Sequence, residues 1–384
     1  MSAPTAINPQ QREGVLESAT KIKQLSQEPG NFLIDLLVQQ QQFTSIKWLL
    51  HFKIPEMIPV APKGISYDDL SSRTGISSNT IRAVARMAMT ADFLAETKDG
   101  LSTHSQLSRS LVEDQDLANW LSYVVNRNVP MTYGFIEATE RWPNTTSVTE
   151  TAFNVSSKTE LSFFDWLEAN PKMGTEFGEY MKSQAAATTD GGVEHLVNGF
   201  DWKSLGKATI VDVGGGEGDA SFALVHAYPE LRLIVQDLSH AKAGAQAKIA
   251  ALDAPIKSRV EWQEYDFREV QQVKGADVYF LRTVLHNWPD DGAVKILQRV
   301  VEAMGPSSRI IIMDMVLPTP GDKRVFEGAL RQKDLMMRQA FNAPEREVED
   351  WYSLVGKVDK RLELVAITRP EGSVHSLLEI KLRN

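Results

Sequence analysis

The sequence predicts an α/β protein: a doubly wound, mostly parallel sheet with an antiparallel strand pair at one edge, preceded by a helical half. Three observations carry that prediction. Residues 1–200 place apolar side chains at three- and four-residue spacings, with few strand signals. From Thr209 onward, short β-branched runs alternate with helical stretches, as in a parallel sheet covered on both faces. Between the first run and its helix lies the glycine-rich turn Gly214-Gly215-Gly216-Glu217-Gly218.

In the first half the spacing predicts helices over 15–25, 32–52, 79–93, 116–126 and 163–186. A short hairpin is expected at 93–96 and 100–102, and the Thr-, Asn- and Ser-rich stretch 142–158 reads as a loop. Within this half, 66–111 reads as a winged helix: helix 67–74, Gly75, helix 79–93, then the hairpin. Its second helix carries Arg82 and Arg86 followed by Met87-Ala88-Met89, a face built to bury rather than to read bases. In the second half, strands are expected at 209–213, 232–237, 260–265, 276–281 and 309–315. The helices between them are expected at 219–228, 241–252 and 293–304. Helices 326–341 and 347–358 follow, then strands 361–368 and 374–382 joined by the turn Pro370-Glu371-Gly372.

The length of 384 residues suits two domains, expected at 1–200 and 201–384. The absence of cysteine excludes disulfides, thiolate metal centres and a cysteine nucleophile. A net charge of −9 lacks the positive field that nucleic acid demands, so no nucleic-acid partner is expected. The polar residues 1–11 lack an apolar signal core, and the best apolar windows, 32–38 and 309–317, are too short to span a bilayer. These features predict a soluble, cytoplasmic protein with no membrane partner, and no metal site is expected.

A parallel sheet binds ligands at the carboxyl ends of its strands, where strand order reverses. Asp212 to Asp219 ends the first strand and opens the first helix, the position of a nucleotide-binding turn in such a Rossmann-like sheet. A dinucleotide site requires G-x-G-x-x-G, yet position 219 is Asp; the turn is G-x-G-x-G with Asp212 two residues ahead. That pattern suits a compact cation carrying an amino acid and an adenosine better than a pyrophosphate. Asp237 ends the second strand, where a carboxylate can grip a ribose hydroxyl pair, and Asp266-Phe267 follows the third. His286 follows the fourth strand at the same sheet edge, and a neutral imidazole with pKa near 6.5 can take a hydroxyl proton. Asp314 in the fifth strand and Glu345 in a later loop can orient that ring and stabilise the imidazolium.

The stretches 211–218, 236–238, 266–267, 281–290 and 341–346 together resemble the catalytic domain of plant and fungal small-molecule O-methyltransferases of the caffeic-acid type. The resemblance covers residues 200–384 and implies S-adenosylmethionine as cofactor. It implies Gly214 and Gly216 under the cofactor, Asp237 and Leu238 at its ribose, Asp266 at the adenine amine, Phe267 on the ring and Arg282 nearby. It further implies His286 as the base, with acids at Asp314 and Glu345. Asn287 departs from the Asp that often follows this histidine. Phe163, Trp166, Met181 and Met337 together predict a flat, apolar acceptor of aromatic or polyketide type. By resemblance, Met181 clamps its ring and Asn342 lies near it. Lys333 and Arg338 share the helix of Met337, where either could touch a polar acceptor group. The winged-helix half implies a homodimer formed through the N-terminal domain.

Methylation of a phenolic or enolic hydroxyl is therefore the leading expectation. The alternative is a pericyclase or dehydratase of the same fold that uses the sulfonium charge without transferring methyl. Such an enzyme needs no base, so the presence of His286, Asp314 and Glu345 favours methylation.

Overall fold

A computed structural model describes residues 9–60, 63–187, 191–321 and 324–383. Packing divides the chain into two compact units, Met1–Pro130 with Asn170–Ala187, and Met131–Ala169 with Thr188–Asn384. The division therefore differs from a single break at 200. Residues 131–169 read as part of the helical half by texture, but they pack with the C-terminal sheet.

The first unit contains helices Pro9–Leu25, Pro29–His51, Ile54–Met57, Tyr67–Thr74 and Ser78–Met89, then strands β1 (Leu94–Glu96) and β2 (Ser102–His104). The expected helix–helix–hairpin order is present, with the hairpin's second strand two residues later than the composition suggested. Ser66 and Ser77 cap their helices by accepting from the Asp69 and Thr80 amides, and Gly75 ends the first in the left-handed conformation. Ile81, Ala85 and Ala88 recur at helical spacing and are fully buried with Leu49, Ile54 and Leu70. The helix expected over 163–186 is two helices, Phe163–Ala169 and Pro171–Ala187. Pro171 lacks an N–H and disfavours helical geometry at Asn170, and the chain passes from one unit to the other there. The loop expected at 142–158 contains a helix, Ala152–Ser157, opened by reciprocal Thr151 and Asn154 side-chain caps.

The second unit is built on β3 (Thr209–Val213), β4 (Arg232–Asp237), β5 (Val260–Glu264), β6 (Val278–Arg282), β7 (Arg309–Leu317), β8 (Arg346–Glu347), β9 (Leu362–Thr368) and β10 (His375–Leu382). The strand order is β5-β4-β3-β6-β7-β10-β9, with β8 pairing β7 off this path. Strands β3 to β7 run parallel to one another, and β10 is antiparallel to both β7 and β9. The expected antiparallel edge is thus present.

Alternation within the strands explains the layering. Val211, Val213, Tyr279, Leu281, Ile310 and Ile312 pack on one face with Leu297 and Trp351. Ile210, Val278, Phe280, Ile311 and Met313 pack on the other with Trp202 and Leu224. Successive residues point to opposite faces, so a sheet covered on both sides requires continuously apolar strands. Asp212, Gln236 and Asp314 are buried polar exceptions, and the Asp212 carboxylate accepts from the Ser221 hydroxyl at 2.7 Å. No helix among the described residues is long and apolar enough to cross a membrane.

Leu297 is fully buried on the Asp290–Val301 helix, whereas Lys295 on the same helix is exposed. In urea denaturation Leu297→Ala should lower stability by about 3 kcal/mol, against less than about 0.5 kcal/mol for Lys295→Ala.

Candidate active site

Strand β3 has β4 on one side and β6 on the other, so strand order reverses beside it. The glycine turn leaves the carboxyl end of β3 at that reversal, with Gly214, Gly216 and Gly218 all at positive φ. A Cβ on Gly214 would lie 2.8 Å from Val284, and one on Gly215 would lie 2.6 Å from the Asp212 carboxylate. Gly216 faces open space. These glycines thus have different reasons: two allow close packing and one leaves room for a ligand.

The main-chain amides of the turn are engaged within the protein. Gly214 and Gly215 N–H both donate to the Gln236 carbonyl, at 2.8 and 3.1 Å. The Gly216 amide donates to Asp237 Oδ2 at 2.7 Å, and the Leu238 amide to Asp237 Oδ1 at 2.7 Å. The Trp262 indole donates to the Gly216 carbonyl at 3.2 Å. The amides of Gly214, Gly215 and Gly216 are thus taken up within the protein. The turn offers its open edge and an oriented Asp237 carboxylate, each of whose oxygens keeps a further lone pair. Sequence reasoning missed Trp262, for which a lone indole in β5 left no local signal.

Arg282 ends β6. Its Nη2 donates to the Gly191 carbonyl at 2.7 Å, while its Nε is buried without a partner. Burial lowers the pKa of Arg282, and the Asp212 carboxylate opposes that effect. Burial also raises Asp212, to about 6, against the Ser221 hydrogen bond. An unpartnered guanidinium nitrogen, the open Gly216 edge and Asp237 fit a ligand bearing a carboxylate and a ribose, as S-adenosylmethionine does. Leu238 is 41% exposed beside Asp237. Phe267 meets Trp288 edge-to-face at 5.7 Å. Asp266 accepts from Arg268 Nη2 at 2.6 Å and Nε at 2.9 Å, which lowers its pKa.

The histidine stands on the short turn Leu285–Asn287. Its Nδ1 lies 2.9 Å from Glu345 Oε1 and 4.0 Å from Asp314 Oδ1. Asp314 Oδ2 instead accepts the His286 backbone N–H at 3.3 Å. The two acids thus act on different parts of the residue. Glu345 orients the ring, and Asp314 holds the main chain that carries it. Both acids are buried, and the His286 side chain is 21% exposed. Burial alone would lower the histidine, but the Asp314 and Glu345 charges and the Glu345 hydrogen bond overcome it and raise its pKa to about 9. The ordinary value near 6.5 expected from sequence is therefore wrong for this environment. Burial raises Asp314 to about 6, with the imidazolium opposing.

Two supports escaped the sequence reading. The Arg346 side chain, 1% exposed, donates to the Leu285 and Trp288 carbonyls at 3.0 and 2.9 Å and pairs with Asp290 at 3.1 Å. It thereby stitches the His286 turn closed. Asp334 accepts the Glu345 backbone N–H at 3.0 Å and pairs with Arg338 at 3.2 Å, so Arg338 is engaged within the protein. Position 346 directly after Glu345 was the available signal for the first. The i,i+4 spacing of 334 and 338 was the signal for the second.

Phe163 and Trp166 meet Phe153 edge-to-face at 5.0 and 5.4 Å, and Phe163 also meets Phe341 at 5.2 Å. Met337 is buried on the Arg324–Phe341 helix that ends in Phe341. Asn342 follows that helix at φ 53, and its amide nitrogen donates to the Ser147 and Glu150 carbonyls at 2.7 and 3.0 Å. That amide nitrogen therefore holds the 147–150 segment. Met181 belongs to the first unit and is 45% exposed on its Pro171–Ala187 helix.

Residues 147–358 match an O-methyltransferase domain. O-methyltransferase fsr2 of Gibberella fujikuroi is 48% identical over 372 residues, 97% of this chain and 96% of that one. O-methyltransferase pgmB of Aspergillus terreus is 41% identical over 378 residues, 97% of this chain and 85% of that one. Among solved structures, OxaC in complex with SAH and oxaline is similar at TM-score 0.80 and 22% identity, covering 99% of this chain and 94% of that one. LepI in complex with SAM follows at 0.76 and 23%, covering 98% and 95%. The structural likenesses establish the fold, and the domain match and close relatives establish kinship: the chain belongs to the family of S-adenosylmethionine-dependent O-methyltransferases.

Proposed function

We propose that the enzyme methylates a phenolic or enolic hydroxyl of an aromatic or polyketide-type metabolite, with His286 as general base. The observation that carries this reading is the imidazole bonded at Nδ1 to buried Glu345 with Asp314 beside it. The fungal relatives, named as O-methyltransferases, support it. S-adenosylmethionine supplies an electrophilic methyl when bound, held by Gly214, Gly216, Asp237, Leu238, Asp266, Phe267 and Arg282.

The chain's own residues then have one proton to move. Glu345 fixes Nδ1, so Nε2 is the nitrogen that takes the hydroxyl proton. A phenol has a pKa near that of tyrosine, about 10. An imidazole raised to about 9 accepts its proton at little free-energy difference, and the resulting imidazolium remains paired with two carboxylates. Phe163, Trp166 and Met337 supply apolar and aromatic surface for a flat acceptor. A role limited to lending the cofactor's charge to a ring closure or dehydration needs no base. The intact His286–Glu345–Asp314 unit therefore favours methyl transfer.

The N-terminal unit is read as the dimerisation element. Phe32, Leu33, Ile34, Leu36 and Leu37 are 48–63% exposed on the Pro29–His51 helix, an apolar surface that a second copy would cover.

Three measurements test this reading. With cofactor labelled in its methyl group, His286→Ala should lower transfer by roughly 10²–10⁴ while cofactor affinity holds. Unchanged transfer removes the base role, and turnover that leaves the cofactor intact replaces methylation by the charge-only reaction. The base must be neutral, so kcat/KM should climb with pH until His286 has lost its proton, at about 9. Glu345→Gln removes one of the charges that raise it, so that limb should move to lower pH. The acceptor's own titration is the same in both proteins, and an unmoved limb overturns the coupling. Sedimentation should give a dimer for the wild-type protein and a monomer for the Leu33→Glu, Leu37→Glu double variant.

A further inference from the structure

Gly216 is where the glycine turn meets open space, since a Cβ there would meet no heavy atom within 4 Å. Glycine has no side chain to restrict φ and ψ, so its φ of 58° is selected by what holds the residue on either side. Two hydrogen bonds do so. On the amide side, Gly216 N–H donates to Asp237 Oδ2 at 2.7 Å; on the carbonyl side, the Trp262 indole N–H donates to the Gly216 oxygen at 3.2 Å. The first of these bonds also orients Asp237, whose other oxygen takes the Leu238 amide at 2.7 Å. The indole, Gly216 and the Asp237 carboxylate therefore form one hydrogen-bonded chain along the open edge of the turn.

Sheet register explains how a residue 46 positions away reaches the turn. In the β4–β5 pair, Val235 lies opposite Trp262 and Asp237 opposite Glu264. Residues two apart on a strand share a face, so Val235, Asp237 and Trp262 all leave the sheet on one side. The glycine turn lies over that side, for a Cβ on Gly218 would come within 3.3 Å of Val235 Cγ2. Strand β5 is the edge of the sheet, and Trp262 is half-buried on it. Its ring thus closes the flank of the turn that no further strand covers. Lys248 also ties this segment, pairing with Glu217 and Asp219 at 2.9 and 2.7 Å. Those three side chains are 38–71% exposed, and such surface pairs fix little.

We propose that Trp262 is a positioning residue of the cofactor site: its indole N–H fixes Gly216 and, through the Gly216 amide, holds the Asp237 carboxylate ready for the ribose hydroxyl pair. This role rests on Asp237 as the ribose ligand, the reading given above. Without the indole donor Gly216 regains its conformational freedom, and ordering it again on binding costs affinity.

The full-length protein is titrated calorimetrically with S-adenosylhomocysteine and with its 2′,3′-dideoxy analogue, which lacks the hydroxyl pair. Wild-type protein should prefer S-adenosylhomocysteine by at least about tenfold, the scale of hydrogen bonds to a charged group. Trp262→Phe keeps an aromatic ring and removes the N–H. It should weaken S-adenosylhomocysteine by roughly 3–10-fold and leave the analogue within about twofold, so the preference shrinks. Trp262→His, whose Nε2–H can stand where the indole N–H stands, should restore most of the preference. A ring that only packs the site, or a partial loss of fold, lowers both affinities alike. Equal losses for the two ligands in Trp262→Phe, or no loss of either, therefore overturn the positioning role while the wild-type preference leaves Asp237 at the ribose. Equal binding of the two ligands by wild-type protein removes Asp237 from the ribose, and the role of Trp262 falls with it.

Discussion

Two carboxylates sealed from water against one imidazole govern the architecture around the candidate active site. Buried charge is costly unless paired and hydrogen-bonded. Asp314 meets that demand through the His286 and Met315 backbone N–H groups, and Glu345 meets it at Oε1 through the His286 ring, while its Oε2 is buried without a hydrogen-bond partner. Neither acid alone could both aim the ring and anchor its turn. Arg346 then becomes the complement: a buried guanidinium that gathers the carbonyls of the same turn and pairs with Asp290. Glu345 and Arg346 are adjacent in sequence, so one short segment controls both the ring and the loop that presents it.

The sheet explains why this unit and the glycine turn meet. Both faces of β3, β6 and β7 are largely apolar and covered, so polar chemistry gathers toward their carboxyl ends, where Asp212 and Asp314 are the buried polar residues. The reversal of strand order at β3 opens a crevice there. Thr283 leaves β6 at φ 51, a rare conformation for a β-branched residue, and it begins the descent to His286. Asn342 holds a similar conformation after the Arg324–Phe341 helix, a position asparagine tolerates better than most residues. Local strain thus sits on the two segments that lead into His286 and into Glu345.

Histidine chemistry in this region is decided by neighbours. His286, among carboxylates, is raised to about 9, whereas His375, among cations, is lowered to about 3. The ring that carries charge and the ring that stays neutral lie close enough to influence one another.

Much of the fold is dictated by local pattern. Strands β3 and β4 span the residues that β-branched runs and flanking turns indicate, and the antiparallel β9–β10 edge follows from two apolar runs about a Pro-Glu-Gly turn. The residue types of the site were legible too, because Asp237, His286, Asp314 and Glu345 sit at strand ends or in short motifs. What each contacts was not legible. The Glu345 ring contact, the Asp314 grip on the His286 backbone, the closure of the turn by Arg346 and the Gly216–Trp262 bond join residues 28–61 positions apart. The same is true of the union of 131–169 with the sheet. Sequence alone determined which groups stand near the sheet edge, since periodicity and turn chemistry are local. Tertiary structure decided their partners and the fields that shift their protonation, since burial and Coulomb interaction depend on distance through space rather than along the chain.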